Sequence, residues 1–350
     1  MQLFEPHSPR LSNGARPLAT YIVFTIALLI LTVVSFPTKA IVVMSGELDR
    51  HLKSYNYGTK ADNKWVQPND DFQANFKALF EAFHQQNWPL ADELAKAVNY
   101  QVIQFNDVDT DKVYYLLQEQ YQLPSDKFMG GGTYVMNLAG TNAVLQAPHP
   151  KRDSFTGTQA IDAFLYTQTK LLMLAGTRRD SSHDVSVCTG TNYSASDVAH
   201  QTESLFQVVH EYMSDYDLET VFIQYHGFGK TTRSKLQAQC GTDNDLMLNL
   251  SESVRYSTND NEHSILHSIR RSVESEGVIK ACVYGNDTRS LGGTWNVQGR
   301  HTNDSVDNCH KSADASSKRF IHLEQSYGVR KYHRKAMQKH LKNALDEYFQ

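Results

Sequence analysis

VLQAPHPKRD, residues 144–153, is an apolar run that stops in a histidine, His149, with an aspartate, Asp153, four residues further on. Pro148 and Pro150 hold the backbone on either side of the histidine away from a continuing helix and favour an extended or turning loop. Gly157 then lets the chain pass close before the next helix. Two more apolar runs end in the same way. VFIQYHG at 221–227 delivers His226 into a Gly227-Phe228-Gly229 turn, and FIHLEQ at 320–325 carries Glu324 near its end. Where strands of an α/β sheet end together, the loops beyond their C-terminal edge gather reactive groups beside helix N-termini.

The pattern around these runs predicts such a sheet. Candidate strands fall at 134–138, 143–147, 171–175, 221–225, 278–283 and 320–323, and helical patterns separate them at 157–168, 197–214, 262–275 and 327–349. This alternation predicts an α/β protein, a three-layer α/β/α fold with a mostly parallel or mixed central sheet, over residues 126–350. Residues 41–125 read as an N-terminal helical extension. A helix capped by Asp70 or Asp71 runs through FQANFKALFEAFHQQ, and further helices are expected at 90–98 and 113–120. The Phe72, Phe76, Phe80 and Phe83 stripe is read as core.

With 350 residues, 40% of them apolar, the chain can bury one large core. Its formal charge of -4 is mild, and no basic cluster interleaves with aromatics, so no nucleic-acid partner is expected. Residues 1–40 differ. Arg10 and Arg16 precede an uncharged run, Leu18 to Pro37, which reads as a signal peptide or an N-terminal membrane anchor, with membrane attachment through residues 18–37 in the second case. Either way the body is expected outside the cytoplasm: secreted, periplasmic or membrane-anchored. Cys188, Cys240, Cys282 and Cys309 form no close CxxC pair and are expected in two disulfides, with three pairings open. Asn192, Asn249, Asn286 and Asn303 lie in glycosylation tripeptides. The glycines at 130–132 precede a strand and so do not form a dinucleotide fingerprint, which sits between strand and helix.

Two imidazoles and a carboxylate are the protein ligands of an open zinc site, with the fourth position left for water. His149, Asp153 and His226 are accordingly the candidate metal ligands, for one Zn(2+) per chain. Glu324 is the candidate catalytic base, the unligated carboxylate that takes a proton from water and passes it to a leaving nitrogen. Arg178, His200, Asn296, Arg300 and Arg330 are candidate substrate-binding groups, with Arg330 suited to a bidentate carboxylate contact. Each has a plainer alternative. A lone strand-end histidine bonds a carbonyl, Glu324 pairs with Arg330, and Ser196 or Asp197 merely caps the helix that carries His200.

The blocks APHPKRDSFTG, LLMLAGTRR, SDVAHQTESLFQ, FIQYHGF, LGGTWNVQGR and HLEQSYGVR, in this order, resemble the zinc-dependent amidohydrolase and carboxypeptidase superfamily, more closely its N-formylglutamate amidohydrolase-like branch. The resemblance implies a phosphorylase/hydrolase-like fold, a mixed sheet between helices, and one zinc at the strand ends, with His149, Asp153 and His226 as ligands, Glu324 as catalytic carboxylate and Arg330 as a carboxylate-binding group. The chain departs from the common HxxE first motif, carrying HPKRD with a longer spacing and a shorter acid. The expectation is an exported hydrolase of an amide bond in a small peptide, an acylated amino acid or an envelope fragment. The alternative is a non-catalytic exported domain that keeps the fold and binds such a ligand.

Overall fold

The computed structural model describes residues 41–54, 65–120, 129–188, 193–255 and 263–350. The run at 18–37, Asn192 and the expected helix start at Glu262 lie outside them. The described residues form one compact unit.

Among the described residues, ten strands make one mixed sheet. In chain order they are β1 (Val42–Gly46), β2 (Tyr100–Asp107), β3 (Lys112–Glu119), β4 (Thr133–Met136), β5 (Thr141–Ala147), β6 (Thr169–Leu174), β7 (Val221–Gly227), β8 (Met247–Ser251), β9 (Lys280–Val283) and β10 (Phe320–Gln325). Across the sheet they lie β1-β2-β3-β4-β6-β5-β7-β10-β8-β9. The centre is parallel, with β5 paired to both β6 and β7, and β7 to β10. The predicted α/β/α class is therefore the observed one.

Among the described residues, ten helices flank the sheet: α1 (Leu48–Ser54), α2 (Asp70–His84), α3 (Trp88–Ala97), α4 (Thr156–Thr167), α5 (Leu205–Tyr216), α6 (Lys230–Cys240), α7 (Ile265–Glu274), α8 (Val297–Thr302), α9 (Tyr327–Tyr332) and α10 (Arg334–Tyr348). Strand alternation sorts the core into two layers. Leu145, Ile223 and Ile321 pack with Leu48, Ile161, Ile265 and Leu341 on one face. Val144, Phe222 and Phe320 pack with Phe80, Ala91 and Phe206 on the other.

Several boundaries differ from expectation. Residues 113–120, expected helical, form β3, because the strand lies inside the sheet between β2 and β4. Residues 41–125 thus hold three sheet strands as well as α1 to α3. Asn69 caps α2, its side chain accepting from the Phe72 N–H. The segment 197–214 is a short 3-10 turn followed by α5, and 327–349 breaks at His333. Cys188 pairs with Cys309 and Cys240 with Cys282, an arrangement that fits an oxidising compartment. Asn249 and Asn303 are buried and hydrogen-bonded through their side-chain amides, which leaves no room for a glycan in the folded chain. Among the described residues, no helix is long and apolar enough to cross a membrane.

Candidate metal centre

The three adjacent parallel strands β5, β7 and β10 deliver the central groups. Glu324 is directly opposite His226 in the β10–β7 register, and Gln146 is opposite Gln224 in the β5–β7 register. His149 follows the end of β5 in a turn closed by the Asp153 N–H to the His149 carbonyl at 3.1 Å and by the Thr156 hydroxyl to the same carbonyl at 3.1 Å. Phe155 completes this turn in the left-handed region, φ 73°, directly before α4.

This turn brings Asp153 back beside His149. Asp153 Oδ2 lies 3.3 Å from His149 Nδ1 and 3.6 Å from His226 Nδ1, and accepts the Gly227 N–H at 3.2 Å. The outer nitrogen of each imidazole is held separately. His149 Nε2 meets Asp197 Oδ1 at 2.8 Å, and His226 Nε2 meets Gln224 Oε1 at 2.6 Å. His149, Asp153 and His226 therefore offer three ligand atoms within 4.8 Å of one another, all on buried residues. A second cluster, His226, His322 and Glu324, adjoins the first. The donor set fits zinc, because two imidazoles and a carboxylate converge while outer partners fix each ring.

Burial opposes charge throughout this centre. It pulls the His149 imidazole down, but Asp197 and Asp153 more than compensate, and the net shift is upward. Burial raises both aspartates, yet the histidines outweigh it and hold Asp153 and Asp197 below the usual carboxylate range. Burial lowers His226 and His200 to about 4. Glu324 is pushed up to about 8, first by burial and then by the charge of Asp153. Its Oε2 has no hydrogen-bond partner among the described residues, and neither has His322 Nδ1. A carboxylate oxygen that is dry and unpaired is costly unless something else occupies its lone pairs.

A cavity of about 640 Å³ opens over these groups. His149, His226, His322 and Glu324 are in its wall, and Arg179, Tyr193, Arg289 and Trp295 stand around them. Of the candidate substrate-binding residues, His200 and Asn296 line this cavity. His200 stacks on Tyr193 and meets the Trp295 carbonyl at 3.0 Å. Asn296 caps α8 and donates to Gln224. The other three are engaged elsewhere. Arg178 pairs with Asp180, Arg300 is buried against the carbonyls of Thr294, Asn308 and Cys309, and Arg330 donates to the carbonyls of Ser154 and Phe228 behind Gly227.

Three contributors were not singled out for the site by the sequence: Asp197, His322 and Gln224. Arg179, not its neighbour, reaches Asp197 Oδ2 at 2.8 Å, and Asp197 is both the cap of the 3-10 turn and the partner of His149. His322 and Gln224 were legible only as polar interruptions of apolar strands. Strand period places both on the same face as Glu324 and His226.

No protein-family model matches the sequence, and no curated protein matches it. Among solved structures, the chain is similar to a bacteriophage poly-gamma-glutamate hydrolase, at 15% identity over 62% of this chain and 89% of that one, with a TM-score of 0.37. It is also similar to a protein assigned as a carboxypeptidase from Burkholderia mallei, at 9% identity over 71% and 63% of the two chains, TM-score 0.35. A third similar structure is thrombin activatable fibrinolysis inhibitor, at 8% identity over 85% and 80%, TM-score 0.34.

Proposed function

We propose that this protein is a zinc-dependent hydrolase of amide bonds, with one zinc per chain held by His149, Asp153 and His226. The observation that carries the reading is the convergence of those three groups beside Glu324, whose Oε2 is buried and unpaired within the described residues. Zinc bound there would polarise a substrate carbonyl and lower the pKa of water.

The remaining work falls to the chain's own groups. Asp197 keeps the His149 ring turned, so that Nδ1 faces Asp153. Arg179 holds Asp197 from its other oxygen. Glu324 takes one proton from the attacking water as its oxygen bonds to the amide carbon, then returns that proton to the leaving nitrogen as the C–N bond breaks. The products are a carboxylic acid, which keeps the water's second proton until it ionises, and an amine. Burial together with the charge of Asp153 holds Glu324 protonated near neutrality, and a cation held beside Asp153 would shift it towards the base form.

The substrate classes proposed are a small peptide, an acylated amino acid or an envelope fragment, with N-formylglutamate-like amides as the narrower case. The open, polar cavity with two arginines in its surround supports a polar acyl-amide. The two disulfides support a site of action outside the cytoplasm, whether the chain is secreted, periplasmic or membrane-anchored.

A panel of these amides, assayed on zinc-loaded full-length protein, tests the reading against Glu324→Gln. Turnover is expected to fall by about 10²–10⁴-fold in the variant with zinc still bound. Unchanged turnover would remove Glu324 from the mechanism. Protein that binds no zinc after supplementation would instead favour a non-catalytic ligand-binding domain.

A further inference from the structure

A chain of buried side-chain amides leads away from His226. Gln224 Oε1 meets His226 Nε2 at 2.6 Å and receives the Asn296 Nδ2 at 2.5 Å, while Gln224 Nε2 donates to Gln146 Oε1 at 3.0 Å and to Gln298 Oε1 at 3.2 Å. Gln146, Gln224, Asn296, Gln298 and His210 are all at most 1% exposed. An isolated amide could sit either way round, and a neutral imidazole could carry its proton on either nitrogen.

Three backbone groups remove this freedom. The Val198 carbonyl can only accept, so the Gln298 atom 2.8 Å from it is Nε2, which leaves Gln298 Oε1 to face Gln224. The Gly299 N–H can only donate, so the Asn296 atom 2.9 Å from it is Oδ1, which turns Asn296 Nδ2 towards Gln224. The Gln298 carbonyl, 2.9 Å from His210 Nε2, requires the proton on that nitrogen. His210 Nδ1 must then accept from Gln146 Nε2 at 2.9 Å, so Gln146 turns Oε1 towards Gln224. All three routes give one answer. Gln224 points its NH₂ at two acceptors and its oxygen at a donor and at His226 Nε2.

We infer that Gln224 is a positioning residue that fixes the proton of neutral His226 on Nε2, under the direction of the Val198, Gly299 and Gln298 backbone groups, and so leaves the Nδ1 lone pair facing Asp153 for a cation. The inference rests on reading His226 as a metal ligand. It explains why two acceptors, His226 Nδ1 and Asp153 Oδ2, stand 3.6 Å apart.

The test is long-range proton–nitrogen NMR on histidine-labelled, chelator-stripped full-length protein at about pH 8, a pH above the usual imidazole range, with His226 assigned from His226→Asn. The expected spectrum has His226 protonated at Nε2. In Gln224→Met the proton is expected to move to Nδ1, where it can donate to Asp153, and zinc affinity measured by chelator competition to fall about 10–100-fold. Turnover at saturating zinc should change far less than the zinc concentration giving half-activity. A wild-type spectrum with the proton on Nδ1 overturns the inference without any variant, as does unchanged zinc affinity in a folded Gln224→Met. Zinc binding with the expected tautomer but no hydrolysis would uphold this inference and defeat the proposed reaction.

Discussion

Asp197 shows how much a single carboxylate can carry. It caps a 3-10 turn through the Ala199 N–H, holds His149 Nε2 and accepts from Arg179, all while 1% exposed. Because an outer carboxylate fixes the ring and raises the basicity of a ligating histidine, Asp197→Ala is expected to weaken zinc binding about 10–100-fold by chelator competition. Asp197→Asn, which still accepts from His149, should lose less. Equal affinity in all three proteins would mean that the turn alone orients His149. At this scale His149, Asp153, His226 and Glu324 were legible because each stands at or just beyond a strand end, where an ionisable side chain interrupts an apolar run. Asp197 was not. Its helix-capping role accounts for its local sequence completely, and its partnership with His149 spans 48 positions that only the fold closes.

At the scale of elements, β7 is apolar up to its histidine except for Gln224, and its two faces differ. Val221, Ile223 and Tyr225 pack against one helix layer, whereas Phe222 on the other face is followed by Gln224 and His226. Strand alternation thus carried more of the site than strand identification alone revealed. The misread element is β3, where Tyr114, Leu116 and Leu117 are all buried, so that the period-two signal disappears and the apolar run reads equally well as a helix. The end of β7 also has a tight packing requirement. A Cβ on Gly227 would overlap the Arg330 guanidinium, which two carbonyls tether in place. Gly227→Ala is expected to cost about 1–3 kcal/mol by urea unfolding. Most of that cost should vanish in an Arg330→Ala background, and a cost that persists there would place the strain elsewhere.

Across the whole molecule, buried neutral imidazoles make stability depend on pH. Burial lowers His210 and His322 well below 6.5, and His200 and His226 to about 4. The folded chain leaves these rings neutral where the unfolded chain binds protons, so stability present above 6.5 is lost as pH falls towards 4. His149 acts in reverse. Its raised value contributes below 6.5, and that contribution disappears as pH rises through the folded value. Asp153 and Asp197, both lowered, keep their contributions until pH falls below the ordinary carboxylate range. Glu324, pushed up to about 8, acts with His149 in favouring the folded chain at lower pH, but His51, His84 and His340 are lowered too. Seven lowered rings against these two groups predict that metal-stripped protein unfolds at lower urea near pH 5 than near pH 7.5, by more than about 1 kcal/mol. A midpoint equal or higher near pH 5 would show that these rings are protonated in the folded chain.

The place of β10 has a consequence for how the protein is made. The last strand in chain order inserts between β7 and β8, both of which emerge earlier. Until it arrives, the incomplete sheet has two facing edges with unsatisfied backbone groups, and His226 lacks Glu324 as its neighbour across the strands. Synthesis from the N-terminus therefore exposes His149, Asp153 and His226 first and supplies Glu324, together with His322, last. The nascent protein stays chemically incomplete until its final strand closes the sheet.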